Sequence, residues 1–117
     1  MGIEQPDTKL RRRERISSRS EIGRLIRTGA RWEGRQFRVV WTENQLGHDR
    51  VAVLVSRKMG PATVRNRAKR RLREVFRTHK AANPPFLDIA LFPRGPLSGS
   101  YRELACQYAE WRRTQEK

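Results

Sequence analysis

The stretch from Ala62 to His79 constrains the fold more than any other part of the chain. On a helical wheel of about 100° per residue, Val64, Ala68, Leu72, Val75, Phe76 and His79 share an arc of roughly 120°. Asn66, Lys69, Arg70, Arg73 and Arg77 cluster on the adjacent arc. Arg65 falls at the border, where a long stem packs while its head stays wet. Six of the nine residues from 65 to 73 are basic, and only Glu74 follows to dilute them. Solvated helix faces mix signs. A face of one sign suits a polyanion, and the apolar arc beneath it requires a second layer to lie on.

The rest of the charge supports this reading. The 117 residues carry a formal net charge of +15. Residues 9–38 hold a net +8 and residues 57–80 a net +9, so these two blocks carry the whole excess. Arg outnumbers Lys 22 to 5, and the planar guanidinium fork suits bidentate phosphate contacts and stacking on bases. Self-repulsion on this scale calls for a polyanionic partner, and nucleic acid is the expected one. A membrane partner is not expected, since no apolar run approaches the ~20 residues of a span and no lipidation motif is present. The single cysteine, Cys106, closes no intrachain disulfide and builds no structural zinc site. With no secretory signal visible, a cytoplasmic, reducing location is expected. The length allows one domain.

Local patterns give an element order. Residues 1–16, with Arg11, Arg12, Arg13 and Arg15, lack apolar periodicity and read as a flexible basic arm. Ser18 with Glu21 fits a capping box, and Ile22, Leu25 and Ile26 then predict a helix over 19–28, stopped at Gly29. Residues 31–33 suit a short strand. Residues 36–42 alternate, with Phe37, Val39 and Trp41 on one face and Arg38, Val40 and Thr42 on the other. Residues 44–49 form a loop. The apolar, β-branched run 51–56 predicts a central strand, and these pieces suggest a hairpin or meander. The cationic helix occupies 62–79. A strand over 86–92 follows, with Leu87, Ile89 and Leu91 on one face. Ser100 with Glu103 opens a last helix over 101–113, whose stripe is Tyr101, Leu104, Ala105, Tyr108 and Trp111. The result is a single α+β domain over 17–113, α-β-β-β-α-β-α with one mixed sheet, followed by a tail at 114–117.

No catalytic constellation is legible. His48 falls in a loop and His79 near a helix end. Asp7, Asp49 and Asp88 are far apart, and Cys106 reads as a small buried hydrophobe. Gly60-Pro61 lacks the spacing of a phosphate-binding loop. The residues support a nucleic-acid binder rather than a self-sufficient enzyme, and a ribosomal or other structural RNA-binding protein is one such reading. A DNA-binding module would call for a helix-turn-helix pair and dimer symmetry. A nuclease acting alone would need converging acid–base groups, and neither pattern is present.

The segment Ser56-Arg57-Lys58-x-Gly60-x-Ala62, continuing into Arg65-Asn66-Arg67 with Lys69, Arg70 and Arg73, resembles the signature of the bacterial ribonuclease P protein subunit. Arg35-Gln36-Phe37 and the strand end Asp88-Ile89-Ala90 with Pro93-Arg94 echo the same family, and the likeness spans roughly residues 11–111. It implies a four-stranded mixed sheet with a left-handed βαβ crossover, the ribosomal protein S5 domain 2-like fold, against the usual right-handed rule. It also implies a subunit of the ribonucleoprotein endoribonuclease ribonuclease P. Its partners would be the catalytic RNA and precursor tRNA, not DNA or membrane, and its task removal of the 5′ leader. Hydrolysis would belong to Mg²⁺ bound by the RNA, with no catalytic residue, metal ligand or cofactor in this chain. Carried over, the RNA-binding set is Arg65, Asn66, Arg67, Lys69, Arg70 and Arg73, with Arg57 and Lys58 at the end of a strand and Arg11, Arg12 and Arg13 from the arm. The leader cleft between first helix and sheet would use Ile22, Ile26 and Val40, where relatives often carry aromatic residues. Trp32 and Trp41 are alternative aromatic surfaces or core residues.

Overall fold

A computed structural model describes residues 10–97 and 99–115. The first helix, α1 (Arg19–Thr28), begins at Ser18, whose Oγ accepts from Glu21 N at 3.3 Å. Only half of the expected capping box forms, because the Glu21 carboxylate instead takes a hydrogen bond from Arg50 Nη2 at 3.0 Å. Gly29 ends α1 with φ at −73°, so no left-handed conformation selects glycine there. Space does. A Cβ at Gly29 would lie 2.7 Å from the Leu25 carbonyl oxygen, 2.8 Å from Val40 and 2.9 Å from the Trp41 carbonyl oxygen.

Four strands follow: β1 (Ala30–Glu33), β2 (Phe37–Glu43), β3 (Arg50–Val53) and, after helix α2 (Ala62–Thr78), β4 (Leu87–Pro93). The last element is α3 (Tyr101–Arg113), capped by Ser100 Oγ accepting from Glu103 N at 3.2 Å. The sheet order is β1-β2-β4-β3. β1 and β2 form the expected hairpin, with Ala30 opposite Trp41 and Glu33 opposite Arg38. β2 and β3 do not pair. β4 lies between them, antiparallel to β2 and parallel to β3.

The apolar run 51–56 therefore supplies an edge strand rather than a central one. It reads as central because it is covered on every side. Val51 and Val53 face one layer and Ala52 the other, and all are buried. Its free edge meets residues 15–16, where Ile16 N donates to the Val51 carbonyl oxygen at 2.9 Å and Arg15 bridges Val51 in parallel. Covering an edge in this way blocks pairing with other chains.

That contact corrects the expectation of a loose arm. Residues 1–9 lie outside the described residues, but residues 10–16 are docked. Arg12–Glu14 forms a 3-10 turn, Ile16 is buried, and Glu14 accepts from Arg11 N at 2.7 Å while pairing with Lys80 Nζ at 3.0 Å. His48 Nε2 lies 3.1 Å from the Arg13 carbonyl oxygen, which gives this histidine an anchoring role.

The sheet separates two apolar clusters. On one face, Phe37, Val39, Ile89 and Leu91 pack against Ala68, Leu72, Val75 and Phe76 of α2 and Leu104, Tyr108 and Trp111 of α3. On the other, Val40, Ala52 and Ala90 pack under Leu25 of α1 and Ile16. Trp41 meets Trp111 edge-on at 5.4 Å, and Trp32 tilts against Phe37 at 6.1 Å. Both tryptophans thus serve the α2–α3 face. Cys106, expected to be buried, is exposed on α3. The adjacent Gln107 takes the inward position and exchanges hydrogen bonds with Gln36, donating Nε2 to Gln36 Oε1 at 2.6 Å and accepting from Gln36 N at 3.1 Å.

Tyr108 is fully buried, and its hydroxyl finds no partner among the described residues. Burial pushes the phenol well above its ordinary pKa; Asp49 adds to the shift and Arg112 opposes it. A raised folded-state value stabilises the fold below the unfolded pKa of about 10, and that contribution is lost as the pH rises above it. Tyr108→Phe removes a buried orphan hydroxyl at no cost in shape. It is expected to leave stability at neutral pH unchanged or higher by up to ~1 kcal/mol, and to flatten its fall above about pH 10. Denaturant melts at pH 7 and 10.5 read both effects, and a loss of more than ~1.5 kcal/mol at neutral pH would contradict the orphan hydroxyl.

Candidate RNA interface

The link from β3 to α2 is short and cationic. Ser56 Oγ accepts from Lys58 N at 3.1 Å and starts a 3-10 turn over Arg57–Met59, whose two basic side chains are exposed. Gly60 then takes φ +146°, a region closed to residues with a Cβ, and Pro61 leads directly into α2. The helix lies with Ala68, Leu72, Val75 and Phe76 in the core, as the wheel requires, and its opposite side faces solvent.

On that side a groove of about 380 Å³ is lined by Asn66, Lys69, Arg70 and Arg73 of α2, with Glu74 and Arg77 at its end and Leu10 and Arg15 from the docked N-terminal segment. The two basic blocks, far apart in sequence, meet here. Asn66, Arg70 and Arg73 are exposed, and Lys69 is half-buried. Arg65 is half-buried at the border, its Nε enclosed without a hydrogen-bond partner among the described residues. Arg67 is exposed but does not line the groove, and neither do Arg11, Arg12 and Arg13, which are exposed beside it. Glu74 pairs with Arg77, so the one carboxylate on this side is already matched. Arg15 joins the site only because residues 10–16 dock; no sequence pattern marks it.

Arg71 belongs to the same basic run but not to the groove. Its guanidinium donates to the carbonyl oxygens of Leu97 and, at 2.5 Å, Gly99, tying the β4–α3 loop to α2. Its wheel angle lies at the far border of the apolar arc, away from Lys69 and Arg73, and that angle is the sequence signal for a structural role.

The second candidate surface lies across the sheet, beside α1. Val40, expected to wall a cleft, is only 1% exposed and sealed beneath α1 with Leu25 and Ala90. Ile22 and Ile26 are half-buried, and Ile22 packs against this cluster along with Leu54 and Phe92. Trp32 and Trp41 face the other layer and cannot contribute. The aromatic surface on this face comes from β4 instead. Phe92 stands opposite Arg38 in the β2–β4 register, half-buried, and with Arg38, Pro93 and Arg94 lines a hollow of about 310 Å³. Alternation carried the signal, since Leu87, Ile89 and Leu91 face one layer and residue 92 must face the other.

Asp88, Asp49 and His79 are occupied structurally. Asp88 receives Arg50 through both carboxylate oxygens, Nε to Oδ1 at 2.9 Å and Nη2 to Oδ2 at 2.7 Å. Asp49 is buried against backbone donors. His79 places Nδ1 2.8 Å from the Val75 carbonyl oxygen and its ring edge-on to Tyr108. Among the described residues no cluster of three or more His, Cys, Asp or Glu could hold a metal ion, and no helix is long and apolar enough to cross a membrane.

The family model described as Ribonuclease P matches residues 10–113. A ribonuclease P protein component from Thermotoga petrophila is 36% identical over 93 residues, covering 80% of each chain. Its counterpart from Petrotoga mobilis is 33% identical over 92 residues, covering 79% of this chain and 78% of that one. The solved RNase P protein from Thermotoga maritima superposes with a TM-score of 0.77 at 28% identity, covering 89% of this chain and 99% of that one. The Staphylococcus aureus RNase P protein gives 0.73 at 27% identity over 86% and 94%. The family match runs from the docked segment at residue 10 to the last turn of α3, so every element that builds the groove and the hollow lies inside it, and the chain belongs to the ribonuclease P protein family.

Proposed function

We propose that this chain, as the protein component of ribonuclease P in tRNA 5′ maturation, holds two RNAs on opposite sides of its sheet. The α2 groove takes the catalytic RNA, with Asn66, Lys69, Arg70 and Arg73 as its central contacts, Arg65 and Arg67 flanking them, and Arg15 added from the docked segment. Arg57, Lys58 and the exposed Arg11, Arg12 and Arg13 extend the same field. The hollow around Phe92, on the α1 side of the sheet, takes the single-stranded leader of precursor tRNA, with Phe92 as the stacking surface; Ile22, which packs in the same cluster as Phe92, and the half-buried Ile26 extend an aliphatic surface from α1. Mg²⁺ held by the RNA supplies the hydrolytic chemistry, and this chain supplies binding and position.

The observation that carries the first half is the groove itself, where cations from two distant segments converge around a single, already paired carboxylate. Guanidinium forks spaced along a helix meet successive phosphates, and Asn66 can read a sugar or base edge. The second half rests on Phe92, since an aromatic face stacks any base for about 1–3 kcal/mol.

Reconstitution with the cognate RNA at low Mg²⁺ tests the whole: cleavage of precursor tRNA should rise on adding the protein, and no stimulation would overturn it. Phe92→Ala should weaken binding of a precursor with a long leader about tenfold while leaving a substrate with a single leader nucleotide unchanged. Equal losses for both substrates would remove Phe92 from the leader site.

A further inference from the structure

Glu33 pairs with both arginines that line the hollow, in a way that folding alone does not require. It is the last residue of β1 and stands opposite Arg38 in the hairpin register, in the row that continues to Phe92. Its two carboxylate oxygens are divided between two arginines from different strands and turns. Oε1 accepts from Arg94 Nη2, and Oε2 lies 2.9 Å from Arg38 Nε. All three side chains keep substantial contact with water, 48% for Glu33, 42% for Arg38 and 44% for Arg94. Arg38 Nε, although close to the carboxylate, finds no properly directed hydrogen-bond acceptor among the described residues.

Exposed pairs of this kind add little to stability. Their geometry is more informative. A carboxylate presenting one oxygen to each of two guanidiniums has the charge and the two-oxygen reach of a phosphodiester. Beside it stands the aromatic ring on which a base would stack. The hollow therefore holds a nucleotide-shaped pair of sites, a ring and a cation pair, with the cation pair already filled from within.

We propose that Glu33 is a built-in competitor for the phosphate site formed by Arg38 and Arg94. It holds both guanidiniums until a backbone phosphate of single-stranded RNA displaces it, and so sets the strength and salt dependence of leader binding. The idea rests on the reading of this hollow as the leader site. Displacement exchanges one anion for another and leaves the Glu33 carboxylate to water, so an RNA phosphate gains less here than at unpaired cations. Such an arrangement favours leaders that also stack well on Phe92 over those held by charge alone.

The test uses the reconstituted holoenzyme and precursor tRNAs with long and single-nucleotide leaders, titrated over a range of monovalent salt. Glu33→Gln keeps the shape but removes the charge and turns one of the two acceptor oxygens into a donor, so it cannot hold both guanidiniums. It should tighten binding of the long-leader substrate about three- to tenfold. It should also steepen the salt dependence by about one unit of slope. The single-nucleotide substrate should not change. Glu33→Asp, too short to bridge both arginines, should fall between. Weaker or unchanged long-leader binding by Glu33→Gln would overturn the proposal and make Glu33 a positioning residue or a bystander. Phe92→Ala in the same assay separates the two ideas. If it loses leader-dependent binding while Glu33→Gln gains none, the leader site stands and the competitor falls. If neither variant changes leader dependence, the leader site itself is elsewhere.

Discussion

Replacing Arg70 and Arg73 together by alanine is expected to weaken binding of the ribonuclease P RNA about a hundredfold at moderate salt, and to lower the slope of log K against log salt by about two. Both side chains are exposed and line the α2 groove, so their guanidiniums are free to meet phosphate. A hydrogen bond to a charged group contributes about 1.5–3 kcal/mol, and two such contacts account for the expected loss. The stability of the free protein should barely change, since neither residue supports the core. Arg71→Ala is the internal control. Arg71 lies in the same basic run but holds the Leu97 and Gly99 carbonyls. Its removal should cost ~1–3 kcal/mol of folding stability and leave the salt slope unchanged. A double variant with an unaltered slope would place the RNA elsewhere. A lowered slope for Arg71→Ala would mean that the run acts through bulk charge rather than through the groove.

The contrast between Arg71 and its neighbours shows where sequence reading reaches its limit. Helix boundaries were legible because their determinants are local. Ser18 and Ser100 cap within three residues, and α1 and α3 run over the residues that periodicity predicts. The apolar arc of α2 was legible for the same reason. Strand order was not. β3 and β4 are both apolar on both faces, and local pattern cannot say which is central and which is an edge covered by other segments. The deciding contact, Ile16 with Val51, comes from a segment without periodicity, anchored by one buried isoleucine and one buried carboxylate, Glu14.

The candidate sites divide in the same way. The α2 residues were readable from spacing, because a helix brings i, i+3 and i+4 together by its own geometry. The hollow around Phe92 required the register of three strands. Val40 has the right alternation for a cleft wall yet lies beneath Leu25, while Phe92 has the same alternation one strand away and remains accessible. Alternation chooses the face of a sheet, but the helix packed on it decides which positions of that face stay open.

The largest single loss of stability is expected at a residue that the sequence presents as a plain loop aspartate. Asp49 has a side chain only 1% exposed, and every acceptor it offers is used. Oδ1 accepts from Leu87 N at 2.8 Å, and Oδ2 from Ala81 N at 3.1 Å. Arg112 Nη2 lies 3.2 Å from Oδ1 and also donates to the Pro85 carbonyl oxygen at 2.9 Å. One carboxylate thereby joins the loop before β3, the loop after α2 and the last turns of α3. Asp49→Ala would strand two backbone donors and leave Arg112, itself 12% exposed, without its counter-charge. Breaking a buried pair from one side costs about 3–5 kcal/mol. Against a total stability of about 5–15 kcal/mol, that lowers the melting temperature on the order of 15 °C or leaves the chain unfolded at 37 °C. Asp88→Ala, by contrast, opens a more exposed network in which Arg50 retains Glu21, and should cost about half as much or less. Asp49→Asn, which keeps an acceptor for one backbone donor, should recover part of the loss. Thermal melts of the three variants rank them directly. RNA titration of Asp49→Ala well below its melting point should give the wild-type salt slope, because Asp49 contributes nothing to the α2 groove. Near-native stability of Asp49→Ala would mean that water reaches this junction and that the carboxylate is not its tie.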